Sequence, residues 1–404
     1  MDVFSDPFER EQLKHCRPSP LLAVHFAALA REGRRKKILN PEAGFHNLPH
    51  FRMMKEVILD ARRHVRSGSA VRRVAVILGA KECNDIPLDR MADDGEVYLI
   101  DVDGESLGAA RETVRDPACR SRIHSVVLDA SLYESELLKR VQNLLDLHRE
   151  DIGSGFRSIV DMQRSAAETG RGVFDAKRLP VREGSADLVI SSMTLSQFVI
   201  GYLQGVLKIF QGVYGRVETR EYLLFGCSSP GRNREEPDRV AELLASTLPL
   251  VRSSTEGHVR ELARIVKDEG VVVLSDHGLH GRCAFATESE VDVLLDSLVP
   301  YSKNPAEEKS LQFREDPERS LPSVLRVEIA KPCETYRLRG SDALGNVLSR
   351  LGALGVLDER QWWWVTEKAK GSHEGRPAWH ISYVESFIFQ RKGSTVEAGR
   401  EALP

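Results

Sequence analysis

Five continuous apolar runs, each leading into a segment with helical spacing, constrain the fold of this chain more than any other feature. The first run, "RRVAVILGA", does not alternate polar with apolar residues, which is typical of a parallel strand covered on both faces. The other four are "GEVYLIDVD", "IHSVVLDAS", "SADLVISSM" and "GVVVLSD". Strands that alternate with helices predict an α/β fold with a doubly wound, mainly parallel sheet and right-handed crossovers.

The two ends of the chain add to this predicted core. Residues 1–70 carry apolar residues at three- and four-residue spacing, which predicts an N-terminal helical cap. Residues 71–300 form the core, with an inserted polar stretch near 150–180 that shows no clear pattern. Residues 301–404 start with a charged excursion and end with two predicted strands, "QWWWVTEKA" and "SYVESFIFQRK". Because no helix separates these two strands, we expect them to pair antiparallel at one edge and complete a seven-stranded sheet.

Composition favours an ordinary soluble protein. The 404 residues are 41% hydrophobic and 29% charged, with a net charge of −3, whereas a nucleic-acid-binding domain is expected to be strongly basic. The six cysteines show no CxxC spacing, which favours reduced thiols in the cytoplasm over a disulfide framework or a zinc site. The first residues lack a signal-peptide pattern, and the apolar stretch "PLLAVHFAALA" is too short to span a bilayer. We therefore expect a cytoplasmic protein that binds neither membrane nor nucleic acid.

The turn "GAKECNDIPLD" follows the first run at the edge where such a sheet binds ligands. Parallel sheets bind ligands beyond the carboxyl ends of their strands, and a glycine there lets backbone N–H groups come close to a polar ligand. Gly79 provides that glycine. Asp101 ends the second run and Asp129 ends the third, so the pattern predicts carboxylates at the same edge of the sheet.

This order of elements and the phrase "GAKECNDIPL" resemble the class I S-adenosylmethionine-dependent methyltransferases. The resemblance covers residues 70–300 and 360–392 and implies S-adenosylmethionine as cofactor. It implies that Asp101 accepts hydrogen bonds from both ribose hydroxyls, with Asp103 as the competing candidate, and that Asp129 lies near the adenine amino group. Each of these acids could instead cap a helix or a turn, since aspartate is favoured there. The remaining residues of the implied cofactor site are Gly79, Ala80, Asp85 and Ala130, with Asp85 near the cofactor's amino group.

Lys81 and Cys83 stand where the family usually has two further glycines. Three interpretations of Lys81 stay open. Its side chain points to solvent, or its ammonium meets the cofactor carboxylate, or it takes part in substrate binding or catalysis.

Two later segments supply candidates for the reacting end of the site. "DLVISSMTLSQF" resembles the fourth motif of the family and places the small polar residues Ser192 and Gln197 near the transferring group. "LSDHGLHG" is expected to be a loop after the fifth strand, where His277 is a candidate general base because histidine titrates near neutral pH. A metal site there has weak support, and local hydrogen bonding is the alternative. The catalytic candidates are therefore Lys81, Ser192, Gln197 and His277, with no metal.

The leading functional hypothesis is methyl transfer from S-adenosylmethionine to a small-molecule acceptor in a biosynthetic pathway, by a monomer or a homo-oligomer. An alternative keeps the fold without the cofactor, as a lyase or cyclase in which Lys81 stabilises negative charge on an anionic small molecule. A non-catalytic binding subunit is the third hypothesis.

Overall fold

The computed structural model describes residues 48–65, 72–130, 134–168, 179–192, 194–225, 239–284, 326–330, 354–373 and 376–392. The strands are β1 (Arg73–Leu78), β2 (Gly95–Asp101), β3 (Ile123–Val127), β4 (Ala186–Ser192), β5 (Val266–Ala284), β6 (Arg326–Ala330), β7 (Leu354–His373) and β8 (Arg376–Arg391). The helices are α1 (Leu48–His64), α2 (Leu88–Ala92), α3 (Gly104–Glu112), α4 (Pro117–Arg120), α5 (Glu134–Leu147), α6 (Ile152–Glu168), α7 (Leu195–Tyr214), α8 (Arg216–Phe225) and α9 (Arg239–Ile265).

The sheet has the strand order β3-β2-β1-β4-β5-β8-β7. The first five strands in this order pair parallel, and β8 pairs antiparallel with both β5 and β7. The predicted doubly wound, mainly parallel sheet with two antiparallel strands at its edge is confirmed. The short strand β6, which pairs with the far end of β5, was not predicted.

Helices cover both faces of the sheet, which explains why the strands are apolar on both sides. Alternate strand residues on one face of the sheet, such as Ile77 and Leu99, pack against α1, α2 and α3. The residues on the opposite face, such as Val76 and Ile100, pack against α9. A further apolar cluster joins α5, α6, α7, α8 and α9 outside the sheet. Within the described residues, no helix is both long enough and apolar enough to cross a bilayer.

Helix α1 belongs to the predicted N-terminal cap and packs on the sheet beside β7. Trp362 Nε1 donates a 3.0 Å hydrogen bond to His50 Nδ1, and the Trp364 ring stacks on His50 with centroids 4.0 Å apart. The two tryptophans share a strand face, as strand alternation predicts. The first predicted helix of the cap and the excursion at 301–325 lie outside the described residues, and the domain boundaries stay predictions.

Two expectations about secondary structure were wrong. The stretch near 150–180 contains α6, whose buried residues Phe156, Ile159 and Val160 have helical spacing that the surrounding polar residues obscure. The expected loop "LSDHGLHG" is part of β5, because β8 and β6 supply hydrogen-bond partners to the backbone there. Inside β5, Glu269 has a φ of +61° and the pairing with β4 shifts register.

Candidate cofactor crevice

The sheet reverses its direction of winding between β1 and β4. From β1 the chain proceeds to β2 and β3 on one side, and then returns to β4 on the other side. A crevice opens at such a switch point beyond the carboxyl ends of the strands, and this is where open α/β sheets bind ligands. Gly79 follows β1 and Ser192 ends β4, so both lie where this crevice is expected.

The turn after β1 has a left-handed backbone at three alternate residues. Gly79, Lys81 and Cys83 have φ angles of +67°, +44° and +51°. Only glycine adopts such angles without strain, because a Cβ atom crowds the neighbouring carbonyl oxygen. The loop therefore keeps the backbone conformation of a glycine-rich turn although two of the three residues have side chains.

Gly79 is required for a second reason, its close contact with Thr194. A Cβ atom built on Gly79 would lie 2.5 Å from Thr194 Oγ1. That hydroxyl donates to the carbonyl oxygen of Leu78 at 3.1 Å, and its distance to the Ser192 carbonyl oxygen is 3.2 Å. Thr194 stands at the N-cap position of α7, but its side chain makes no cap hydrogen bond there. It instead holds the start of α7 against the turn after β1.

Asp101 links this turn to the end of β2. Its Oδ2 accepts a hydrogen bond from the Lys81 backbone N–H at 3.1 Å, and its Oδ1 accepts one from the Asp103 N–H at 3.0 Å. The residue is 7% exposed. Burial raises the pKa of Asp101, while the two backbone amides and the Lys81 ammonium oppose that rise. The carboxylate is thus held in one orientation by backbone groups.

Asp85 and Ser192 meet across the switch point. The Ser192 hydroxyl donates to Asp85 Oδ2 at 2.9 Å, which joins the loop after β1 to the end of β4. Burial raises the pKa of Asp85, and the opposing influences are this hydrogen bond, the residue's own amide, and the ammonium groups of Lys81 and Lys55. The structure therefore brings together Asp85 and Ser192, which the sequence suggested for two different parts of the site.

Asp103 and Asp129 take different positions. Asp103 is the N-cap of α3, where its carboxylate accepts from the Glu105 N–H at 3.1 Å and from the Ser106 hydroxyl at 2.7 Å. The helix-cap interpretation therefore holds for Asp103. Asp129 is buried just beyond β3 and is followed by the buried Ala130.

Comparison with known proteins found similar solved structures at low sequence identity. No family model and no curated protein matches the chain. Many similar solved structures are S-adenosylmethionine-dependent methyltransferases. One from Anabaena variabilis is 9% identical, with a TM-score of 0.33 over 93% of this chain and 97% of that one. A loganic acid methyltransferase with SAH is also 9% identical, with a TM-score of 0.39 over 87% and 96%. The YcgJ protein of Bacillus subtilis is 12% identical, with a TM-score of 0.35 over 84% and 98%.

The sheet is the one that the methyltransferase resemblance predicts. The strand order and the antiparallel pair at the edge both match that prediction. In this methyltransferase-like sheet, the carboxyl ends of β1, β2 and β4 bring together Gly79, Asp85, Asp101 and Ser192.

The buried polar pair of Ser191 and His258 was not predicted from the sequence. His258 on α9 lies 2.8 Å through its Nε2 from the hydroxyl of Ser191, on the sheet face opposite Ser192. Burial lowers the pKa of His258 to about 4, opposed by a backbone hydrogen bond at Ala130, so the ring is neutral at pH 7. Its spacing from the buried Thr255 and Leu262 was the available signal, because it places His258 on the inner face of α9.

Gln197 and His277 are placed by their backbones alone. Gln197 is in the first turn of α7, directly beyond the crevice, and His277 pairs with Val384 in β5. Their side chains lie outside the described part of the structure. The roles suggested for both stay predictions.

Proposed function

We propose that this chain is an S-adenosylmethionine-dependent methyltransferase that acts on a small-molecule acceptor. The observation that carries the proposal is the orientation of Asp101 at the switch point. Among the described residues, each carboxylate oxygen accepts one backbone N–H, and since an oxygen has two lone pairs, one acceptor position on each remains. Two positions on one carboxylate match the two vicinal hydroxyls of a ribose.

The other residues around the crevice fit the rest of the cofactor. In this proposal Gly79 and Ala80 bring the backbone close to it, Asp85 accepts from its ammonium group, and Asp129 with Ala130 borders its adenine. When bound, the cofactor supplies an electrophilic methyl group on a sulfonium. The carboxylate chemistry of Asp85 and Asp101 suits a ligand that presents hydrogen-bond donors and a positive charge.

At the acceptor end, we propose that the protein acts mainly by alignment. Holding a nucleophile in line with the methyl group converts a bimolecular step into an effectively unimolecular one. Ser192 and Gln197 follow the crevice along β4 and α7 and would orient the acceptor.

His277 is proposed as the proton acceptor. This role predicts that His277→Gln lowers kcat and removes one limb of the pH dependence of kcat. The small size of the acceptor is proposed from the slightly acidic composition and the added segments, and the cytoplasmic location from the scattered cysteines.

Calorimetric titration with S-adenosylmethionine and S-adenosylhomocysteine tests the cofactor. We expect Asp101→Asn to weaken binding by about tenfold to a hundredfold, because charge-assisted hydrogen bonds are lost. Asp103→Asn is the matched control, since asparagine caps helices as well as aspartate does and should leave the Kd nearly unchanged. Failure of the folded wild-type protein to bind either ligand would refute the proposal. Equal effects of the two substitutions would refute the role of Asp101.

Transfer itself needs a second assay. Incubation with methyl-labelled cofactor and a panel of small hydroxyl- and amine-bearing acceptors should move label to at least one of them. Tight cofactor binding without transfer to any acceptor or to the protein would favour the non-catalytic binding subunit.

A further inference from the structure

Lys81 keeps a backbone conformation that glycine adopts at lower cost, yet it carries a long charged side chain. Its φ of +44° lies in the left-handed region, and its side chain is exposed. Packing of the side chain in the core therefore does not offset the unfavourable conformation. A strained residue beside a ligand crevice points to a function for the group that it carries.

The position of Lys81 is fixed by Asp101. The hydrogen bond from the Lys81 N–H to Asp101 Oδ2 holds the lysine backbone beside that carboxylate. Burial raises the pKa of Asp85 and of Asp101, and the Lys81 ammonium on the same loop opposes both rises. A positive charge therefore accompanies the two carboxylates that border the crevice.

The charged groups of the crevice then suit a ligand that carries both a positive and a negative charge. Asp85 and Asp101 accept hydrogen bonds, but they repel an anionic group. A carboxylate on the ligand needs a cation at the same place, and a lysine ammonium binds carboxylates through short, charge-assisted hydrogen bonds. We propose that Lys81 Nζ binds the carboxylate at the amino-acid end of S-adenosylmethionine. This inference rests on the proposed function and adds a specificity determinant to it.

Decarboxylated S-adenosylmethionine separates this role from general electrostatics, because it lacks only the carboxylate. We expect Lys81→Met to raise the Kd for S-adenosylmethionine by about tenfold to a hundredfold while changing the Kd for the decarboxylated ligand less than about twofold. Lys81→Arg should recover most of the affinity. Lys55→Met is the matched control: it removes another ammonium that acts on Asp85, but one that lies on α1 and not on the loop.

The outcomes are distinguishable by calorimetry on the full chain. If Lys81→Met changes the Kd of both ligands equally, or of neither, the ammonium does not bind the carboxylate and the inference fails while the proposed function stands. A selective loss in Lys55→Met instead would assign the carboxylate to α1 and would also overturn it. If the folded wild-type protein binds neither ligand, the proposed function and this inference fail together.

Discussion

At the scale of single residues, Gly79 is the position where a methyl group should do the most harm. Its φ of +67° and the 2.5 Å approach to Thr194 Oγ1 both oppose a Cβ atom. We expect Gly79→Ala to lower the free energy of unfolding by about 2–4 kcal/mol. Urea denaturation measures the change.

Gly108 provides the control for this substitution. It is exposed in α3, and nothing lies within 4 Å of the position that a Cβ atom would take. Gly108→Ala should therefore raise the free energy of unfolding by about 0.5–1 kcal/mol, since alanine is the better helix former. A Gly79→Ala variant as stable as Gly108→Ala would contradict the geometry described for the turn.

Lys81 and Cys83 both have a strained left-handed backbone, but replacement by glycine should affect their stability contributions differently. In Lys81→Gly the relief of strain, about 1–2 kcal/mol, is partly offset by the flexibility of glycine in the unfolded chain, so we expect a gain of at most about 1 kcal/mol. Cys83 is buried, and its thiol donates to the Ala80 carbonyl oxygen at 3.2 Å. Cys83→Gly loses that packing and should destabilise the protein. The comparison is made by thermal and urea unfolding, and a stabilised Cys83→Gly variant would show that strain dominates at both positions.

At the scale of elements, His258 should make the packing of α9 on β4 sensitive to acid. Its pKa is about 4 in the folded protein and about 6.5 in an unfolded chain. Between these values the unfolded chain binds a proton that the folded protein does not, so stability falls as pH falls from 6.5 towards 4. The loss across this window is up to about 3 kcal/mol.

The measurement compares wild type with His258→Gln, whose side-chain amide can replace the hydrogen bond between His258 and the Ser191 hydroxyl. Urea unfolding at a series of pH values should give a shallower decline for the variant below pH 6.5. Parallel curves for the two proteins would mean that His258 is not kept neutral by burial.

The sequence predicted the elements better than the site, and for physical reasons. Strands buried on both faces are apolar throughout, so β1, β2 and β4 were recognisable as continuous apolar runs in the sequence. Helix α6 buries only a narrow stripe, and its polar remainder obscured it. The hydrogen bonds of Asp101 and Asp85 join residues 20 and 107 positions apart, and the sequence does not specify such distances.

At the scale of the whole molecule, the two ends of the described chain meet beside the sheet. Helix α1 is the first described helix and β7 is the last strand in the sheet order, yet they share the His50–Trp362 hydrogen bond and the ion pair between Asp60 and Arg360. Residues 300 or more positions apart thus close the fold. Pairing β7 with β8 covers one side of the edge strand, and α1 covers its face.

This closure can be measured with a double-mutant cycle on His50 and Trp362. Both side chains are 2% exposed, and their 3.0 Å hydrogen bond is buried. We expect Trp362→Phe and His50→Phe each to lower the free energy of unfolding, with a coupling energy of about 1 kcal/mol between them. A cycle on Arg140 and Glu136 is the control, because their ion pair is local to α5 and Arg140 is exposed. Its coupling should be smaller, about 0.3–0.5 kcal/mol. If the His50–Trp362 cycle gives no coupling, the cap is held by apolar contact alone and the polar link between the two ends contributes nothing to the fold.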